Sequence, residues 1–133
     1  MSGAGELPIA GNADIVSVRQ RVRAVAIEIG LSLVDQTKVV TAASELARNA
    51  LVYAGGGRVR IRLVENGSRR GLELAFSDEG PGIADIEQAL ADGYTTGSGL
   101  GLGLGGSRRL VDEFGLVSTP GEGTTVTVTK WAR

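Results

Sequence analysis

Arg58-Val-Arg-Ile-Arg-Leu63, the turn pair Asn66-Gly67, and the answering run Leu72-Glu-Leu-Ala-Phe76 decide the fold class of this chain. Charged and apolar side chains alternate strictly in the first run. It therefore reads as a strand with one face buried and one face in solvent. Asn-Gly reverses a chain easily because both residues tolerate positive φ, so the second run returns antiparallel to the first. Leu72, Leu74 and Phe76 alternate on that strand, which ends at Asp78.

Upstream the period changes from two to nearly four. Ile15, Val18, Val22, Val25 and Ile29 recur at helical spacing behind Asp14, an expected cap, and Gly30 is an expected stop. Asp35 is expected to cap a second helix that runs to about Ala54, with Val39, Ala43, Leu46 and Ala50 as its apolar stripe and Gly55-Gly-Gly57 as its end. Residues 6–10 form a short edge strand, where Pro8 is tolerated. Downstream, Ile83 to Leu90 reads as a short helix and Ala91 to Gly99 as a polar stretch. A third long helix is expected to start within the glycine run and continue through Phe114. Residues 116–119 and 124–131 close the chain as two strands, the second rich in β-branched Thr125-Val-Thr-Val-Thr129. Strands in pairs, with helices between the pairs, define an α+β fold: a two-layer sandwich, a mixed or antiparallel sheet with helices on one face. At 133 residues one domain, 1–133, is expected.

Composition excludes several chemistries. The chain has neither cysteine nor histidine, which removes disulfides, thiolate catalysis, zinc-thiolate sites, serine–histidine triads and a phosphohistidine on this chain. A formal net charge of -1 gives no sign of a general nucleic-acid binder or a membrane-surface protein. No apolar run approaches the roughly 20 residues of a membrane helix. The first residues, Met1 to Glu6, lack the basic and apolar regions of a signal peptide, so a cytoplasmic protein is expected.

Three segments carry candidate chemistry. Glu45 and Asn49 stand four apart on the second helix and so project on one side of it. A carboxylate there can take a proton from an attacking hydroxyl, and an amide oxygen is a hard ligand suited to Mg²⁺. Asp78 ends a strand and is followed by Glu79-Gly-Pro-Gly82, so its carboxylate can accept from an exocyclic amine such as that of adenine. Gly80 and Gly82 let the backbone pass close to a flat ring. The run from Gly97 to Gly106 can lay backbone N–H groups against phosphates at a helix start. Each segment alone also fits a plainer reading: a solvated helix face, a simple turn, a flexible connection. Thr124 fits pocket lining and β-propensity equally, and Arg48 fits a surface arginine better than a phosphate ligand. Gly101-x-Gly103-x-x-Gly106 matches the dinucleotide-binding fingerprint in letters only. It does not follow directly on a strand, and Glu122, about 20 residues on, falls in a turn.

Taken in order, the Glu45/Asn49 helix, the Asp78-x-Gly-x-Gly82 strand end and the glycine-rich helix start resemble the GHKL superfamily of ATP-binding proteins (gyrase, Hsp90, histidine kinases, MutL) from Asp14 to Trp131. Within it, Asp92 to Phe114 is most similar to the small anti-sigma-factor-type serine/threonine kinases, and among these to the stressosome switch kinases. The resemblance implies ATP and Mg²⁺ as cofactors. It implies Glu45 as base, Asn49 on the metal, and Asp78 on the adenine amine with Gly80, Gly82 and Ile83 beside the ring. Gly99, Gly101 and Gly103 would hold the phosphates, Thr96, Gly97, Leu100 and Leu102 would complete the nucleotide-binding residues of that run, Thr124 would line the site, and 84–98 would be a lid. It further implies STAS-domain antagonist or scaffold proteins as substrates, activation of a downstream PP2C-type phosphatase, and scope for a homodimer. The alternative within the family is an anti-sigma factor that sequesters a sigma factor and phosphorylates its antagonist. With no histidine, and no dimerisation helices or transducer domain in these 133 residues, a self-contained histidine kinase, a gyrase or an Hsp90 is not expected.

Overall fold

The computed structural model describes residues 4–82 and 104–132. The elements run β1 (Gly5–Ile9), α1 (Asn12–Glu28), α2 (Leu33–Ala54), β2 (Gly57–Asn66), β3 (Arg69–Asp78), α3 (Leu104–Arg109), β4 (Glu113–Thr119) and β5 (Gly123–Trp131). The five strands form one sheet in the order β1-β2-β3-β5-β4, and every pair is antiparallel. This is the expected α+β sandwich, with the sheet purely antiparallel among the described residues.

Register converts the alternation of β2 into a layer. Val59, Ile61 and Leu63 stand opposite Phe76, Leu74 and Leu72, which in turn face Val126, Val128 and Lys130 on β5. All but Lys130 and the half-buried Leu63 are buried apolar groups that pack against Val18, Val22 and Val25 of α1 and Val39, Ala43 and Leu46 of α2. The opposite sheet face carries Arg58, Arg60 and Arg62, which stay exposed. A one-residue slip of β2 would bury the three arginines, so burial fixes the register.

The helix starts depart from the expected caps. Helix α1 begins after Gly11, and Asp14 lies inside the first turn, where its carboxylate accepts from the N–H groups of Ala10 at 2.7 Å and Gly11 at 3.1 Å. Helix α2 begins after Ser32, whose hydroxyl accepts from the Asp35 N–H at 3.1 Å. Both carboxylates still sit where the helix dipole favours negative charge. At the other ends, Gly30 and Gly55 take left-handed φ of 85° and 75°, the conformation that terminates a helix without a Cβ clash.

The third helix is shorter at its C-terminal end than its pattern suggested. Helix α3 stops at Arg109, and β4 starts at Glu113, three residues before the expected position. The cause is competition from β5. The Asp112 N–H donates to the Thr129 carbonyl at 2.9 Å, its carboxylate accepts the Trp131 N–H at 2.7 Å, and Phe114 pairs with Val128. Those sheet bonds outbid another helical turn. The expected helix over Ile83–Leu90 and the helix start within the glycine run lie outside the described residues.

One charged group is built into the core face. Lys130 follows Val126 and Val128 in the inward-facing series, and its side chain is 5% exposed. Its ammonium lies 3.4 Å from Asp35 at the start of α2 and 3.7 Å from Asp112 before β4. The triad ties the end of β5 to the first turn of α2.

Candidate functional site

The C-terminal half of α2 and the ends of β3 and β5 enclose a pocket. Its wall on α2 is Leu46, Asn49, Ala50, Tyr53 and Ala54, a series spaced by three and four residues that projects from one helix face. Phe76 and Val126 form the floor, Leu104 of α3 closes one side, and Asp78, Pro81, Gly82 and Thr124 form the rim. The lining is thus mainly apolar, with an amide, a carboxylate and the hydroxyls of Tyr53 and Thr124 as its polar side-chain groups. That is the general make-up of a site for a flat heterocycle oriented by a few polar contacts.

The Asp78 rim is held from three sides. Its Oδ1 accepts the Gly80 N–H at 2.9 Å, which fixes the carboxylate rotamer and leaves Oδ2 for another donor. In the sheet Asp78 pairs with Thr124, whose hydroxyl lies 2.8 Å from that of Ser118. The turn between β4 and β5 is bonded to the same loop, the Gly121 N–H donating to the Pro81 carbonyl at 2.7 Å. The backbone passes are too close for side chains. A Cβ at Gly80 would lie 2.5 Å from the Cβ of Ala54, and one at Gly82, where φ is 76°, would lie 2.5 Å from the Thr119 carbonyl. Gly80→Ala is therefore expected to push the rim off α2 and destabilise the protein by about 1–3 kcal/mol, the usual cost of overpacking. Thermal unfolding of the variant checks this, and an unchanged midpoint would refute it.

Asn49, Asp78, Gly82 and Thr124 line one pocket, and Gly80 holds the Asp78 carboxylate. Glu45 is not in the lining. It sits one turn before Asn49, half-exposed, with Oε1 3.3 Å from Nη1 of Arg48. Arg48 is exposed, as the surface reading of its sequence position expected, and within that surface position it pairs with the candidate base. Ile83, Thr96, Gly97, Gly99, Leu100, Gly101, Leu102 and Gly103 lie outside the described residues. Tyr53, Phe76, Leu104 and Val126 are pocket residues that sequence reasoning did not single out. The three/four spacing of Leu46, Asn49, Ala50 and Tyr53 was the available signal for Tyr53. Glu122 lies in the β4–β5 turn of a sheet that is antiparallel throughout the described residues, which is no setting for a dinucleotide fingerprint.

Residues 34–133 match the family described as histidine kinase-, DNA gyrase B- and HSP90-like ATPases, and the chain belongs to that family. Within it, the chain is 49% identical over 120 residues to the serine/threonine-protein kinase RsbT of Bacillus subtilis, covering 90% of each chain. It is 30% identical over 119 residues to the anti-sigma F factor of a Thermoanaerobacter species, covering 85% of this chain and 82% of that one. Two solved structures share the fold. The RsbU and RsbW domains of Rv1364c from Mycobacterium tuberculosis superpose with a TM-score of 0.66 at 24% identity, over 96% of this chain and 33% of that one, so the chain spans about a third of that structure. The catalytic domain of the histidine kinase ThkA superposes with a TM-score of 0.54 at 17% identity, over 94% of each. Among the described residues no helix is long and apolar enough to cross a membrane.

Proposed function

We propose that this chain is an ATP-dependent protein serine/threonine kinase that acts as a partner-switching regulator. The observation that carries the reading is its 49% identity to RsbT over 90% of both chains, joined to a pocket that brings Asn49 and Asp78 together. The acceptor is a serine or threonine on a STAS-domain antagonist or scaffold protein, and the freed kinase then activates a PP2C-type phosphatase by binding it. The setting is cytoplasmic, and the switch belongs to a stress response.

In this reading Asp78 Oδ2 accepts from the adenine amine, and the apolar walls sandwich the ring. Asn49 offers an amide oxygen at the phosphate side, which suits Mg²⁺, an ion that takes few protein ligands and completes its shell with phosphates and water. Bound there, the ion would neutralise phosphate charge as it develops. Gly99, Gly101 and Gly103 would hold the phosphates. Glu45 takes the proton of the acceptor hydroxyl as its oxygen bonds to the γ-phosphorus; the bond from that phosphorus to the bridging oxygen breaks and ADP leaves. Homology at 30% to anti-sigma F factors supports a second reading, sequestration of a sigma factor with phosphorylation of its antagonist.

Incubation with Mg-ATP and candidate STAS-domain proteins tests the proposal, with phosphoserine and phosphothreonine followed by mass spectrometry. Transfer to at least one is expected. Nucleotide binding without transfer to any would leave only a binding module. Sigma-factor capture by the ATP-bound chain would favour the second reading. Asp78→Asn is expected to raise the Kd for ATP by roughly 10–100-fold, since the amide turns either a donor toward the adenine amine or a weaker, uncharged acceptor. Calorimetric titration measures it, with the unliganded protein keeping its melting temperature.

A further inference from the structure

We infer that Arg48 is a positioning residue that holds the Glu45 carboxylate in place for phosphoryl transfer; the inference rests on the reading of Glu45 as the base. The two side chains are neighbours on α2, three residues apart, with Nη1 of Arg48 3.3 Å from Oε1 of Glu45. Both are half-exposed, 45% and 39%, so the pair lies at the solvent side of the site, where an acceptor protein must arrive. Asn49, the next residue, faces the pocket. The same helical turn thus turns its amide inward and its guanidinium outward, with Glu45 between the two roles.

A glutamate in that position has three rotatable bonds, and at 39% exposure its carboxylate still reaches solvent. A base must meet its proton within hydrogen-bond reach, so a freely rotating carboxylate spends little time in the useful rotamer. The guanidinium on Oε1 restricts the rotamers while Oε2 stays available to the acceptor hydroxyl. An exposed ion pair of this kind biases a conformation by at most about fivefold, so the effect on rate is modest and measurable.

The test uses the full chain, Mg-ATP and a STAS-domain protein that the unaltered chain phosphorylates. Arg48→Gln is expected to lower kcat about three- to fivefold, with the KM for ATP and the Kd for a non-hydrolysable ATP analogue unchanged within about twofold. Arg48→Lys, which keeps the charge, is expected to recover most of that loss. Arg48→Gln added to Glu45→Gln is expected to cost nothing further, because the residue acts through Glu45. Three results would overturn the inference: kcat unchanged in Arg48→Gln while Glu45→Gln is severely impaired; a matching rise in the KM for ATP, which marks a direct phosphate contact; or an additive double variant. Full activity in Glu45→Gln alone removes the base reading itself, which separates the two failures.

Discussion

Glu45→Gln is expected to slow phosphoryl transfer by roughly 10²–10⁴-fold, the usual range for loss of a positioned acid–base group. Gln keeps the size of the side chain and a carbonyl that Arg48 can still donate to, but at neutral pH it takes no proton. Glu45 is absent from the pocket lining, so ATP affinity should stay near that of the unaltered protein. The combination of a large fall in kcat with an unchanged Kd is the signature of an interaction made with the acceptor rather than with the nucleotide. Single-turnover transfer and calorimetry together measure it. A loss below about tenfold would move the proton elsewhere.

Lys130→Met should be the most damaging single change to stability, at about 3–5 kcal/mol. Methionine matches the stem of lysine and suits the apolar neighbours, so packing is not the cause. The cause is what remains: Asp35 and Asp112, 14% and 19% exposed, face the same space with no ammonium between them. Breaking a buried pair by removing one partner costs far more than the pair itself contributes. A fall of roughly 10–20 °C in the thermal midpoint corresponds to that loss in a domain of this size. Circular dichroism through the transition measures it. A change under about 1 kcal/mol would mean that the two carboxylates find other partners.

Patterns that depend on one residue's neighbours in sequence were the legible ones. The alternation of β2, the glycine ends of α1 and α2 and the inward series of β3 appear where they were expected, because local preference and burial agree there. The reversal between β2 and β3 also appears, but its loop is Gly67-Ser68, one residue later than expected, with Asn66 still in the strand opposite Arg69 and, of the expected pair, Gly67 alone at positive φ. Failures occurred where two remote segments compete. Asp112 and Phe114 carry a helical pattern, yet β5 claims their backbone bonds, and nothing near residue 112 announces this. Asp35 is a good cap by type, but Ser32 caps and Asp35 turns to Lys130, nearly a hundred positions away. At the candidate site, Asn49 and Asp78 were legible from type and position, whereas Thr124 fitted pocket lining and strand propensity equally until the fold set it beside Asp78. The Arg48 contact was not, since the sequence sets Arg48 beside Glu45 without saying which way either side chain turns.

Asp78 hangs from β3, the middle strand of five, with β2 on one side and β5 on the other. Edge strands fray; central strands open only with the molecule as a whole. The proposed adenine anchor is therefore attached to the last part of the protein to let go, and its loop is sewn to the β4–β5 turn as well. A ligand held at Asp78 would thus be gripped by a part of the protein that does not yield locally, and the position of the carboxylate would be set before the ligand arrives.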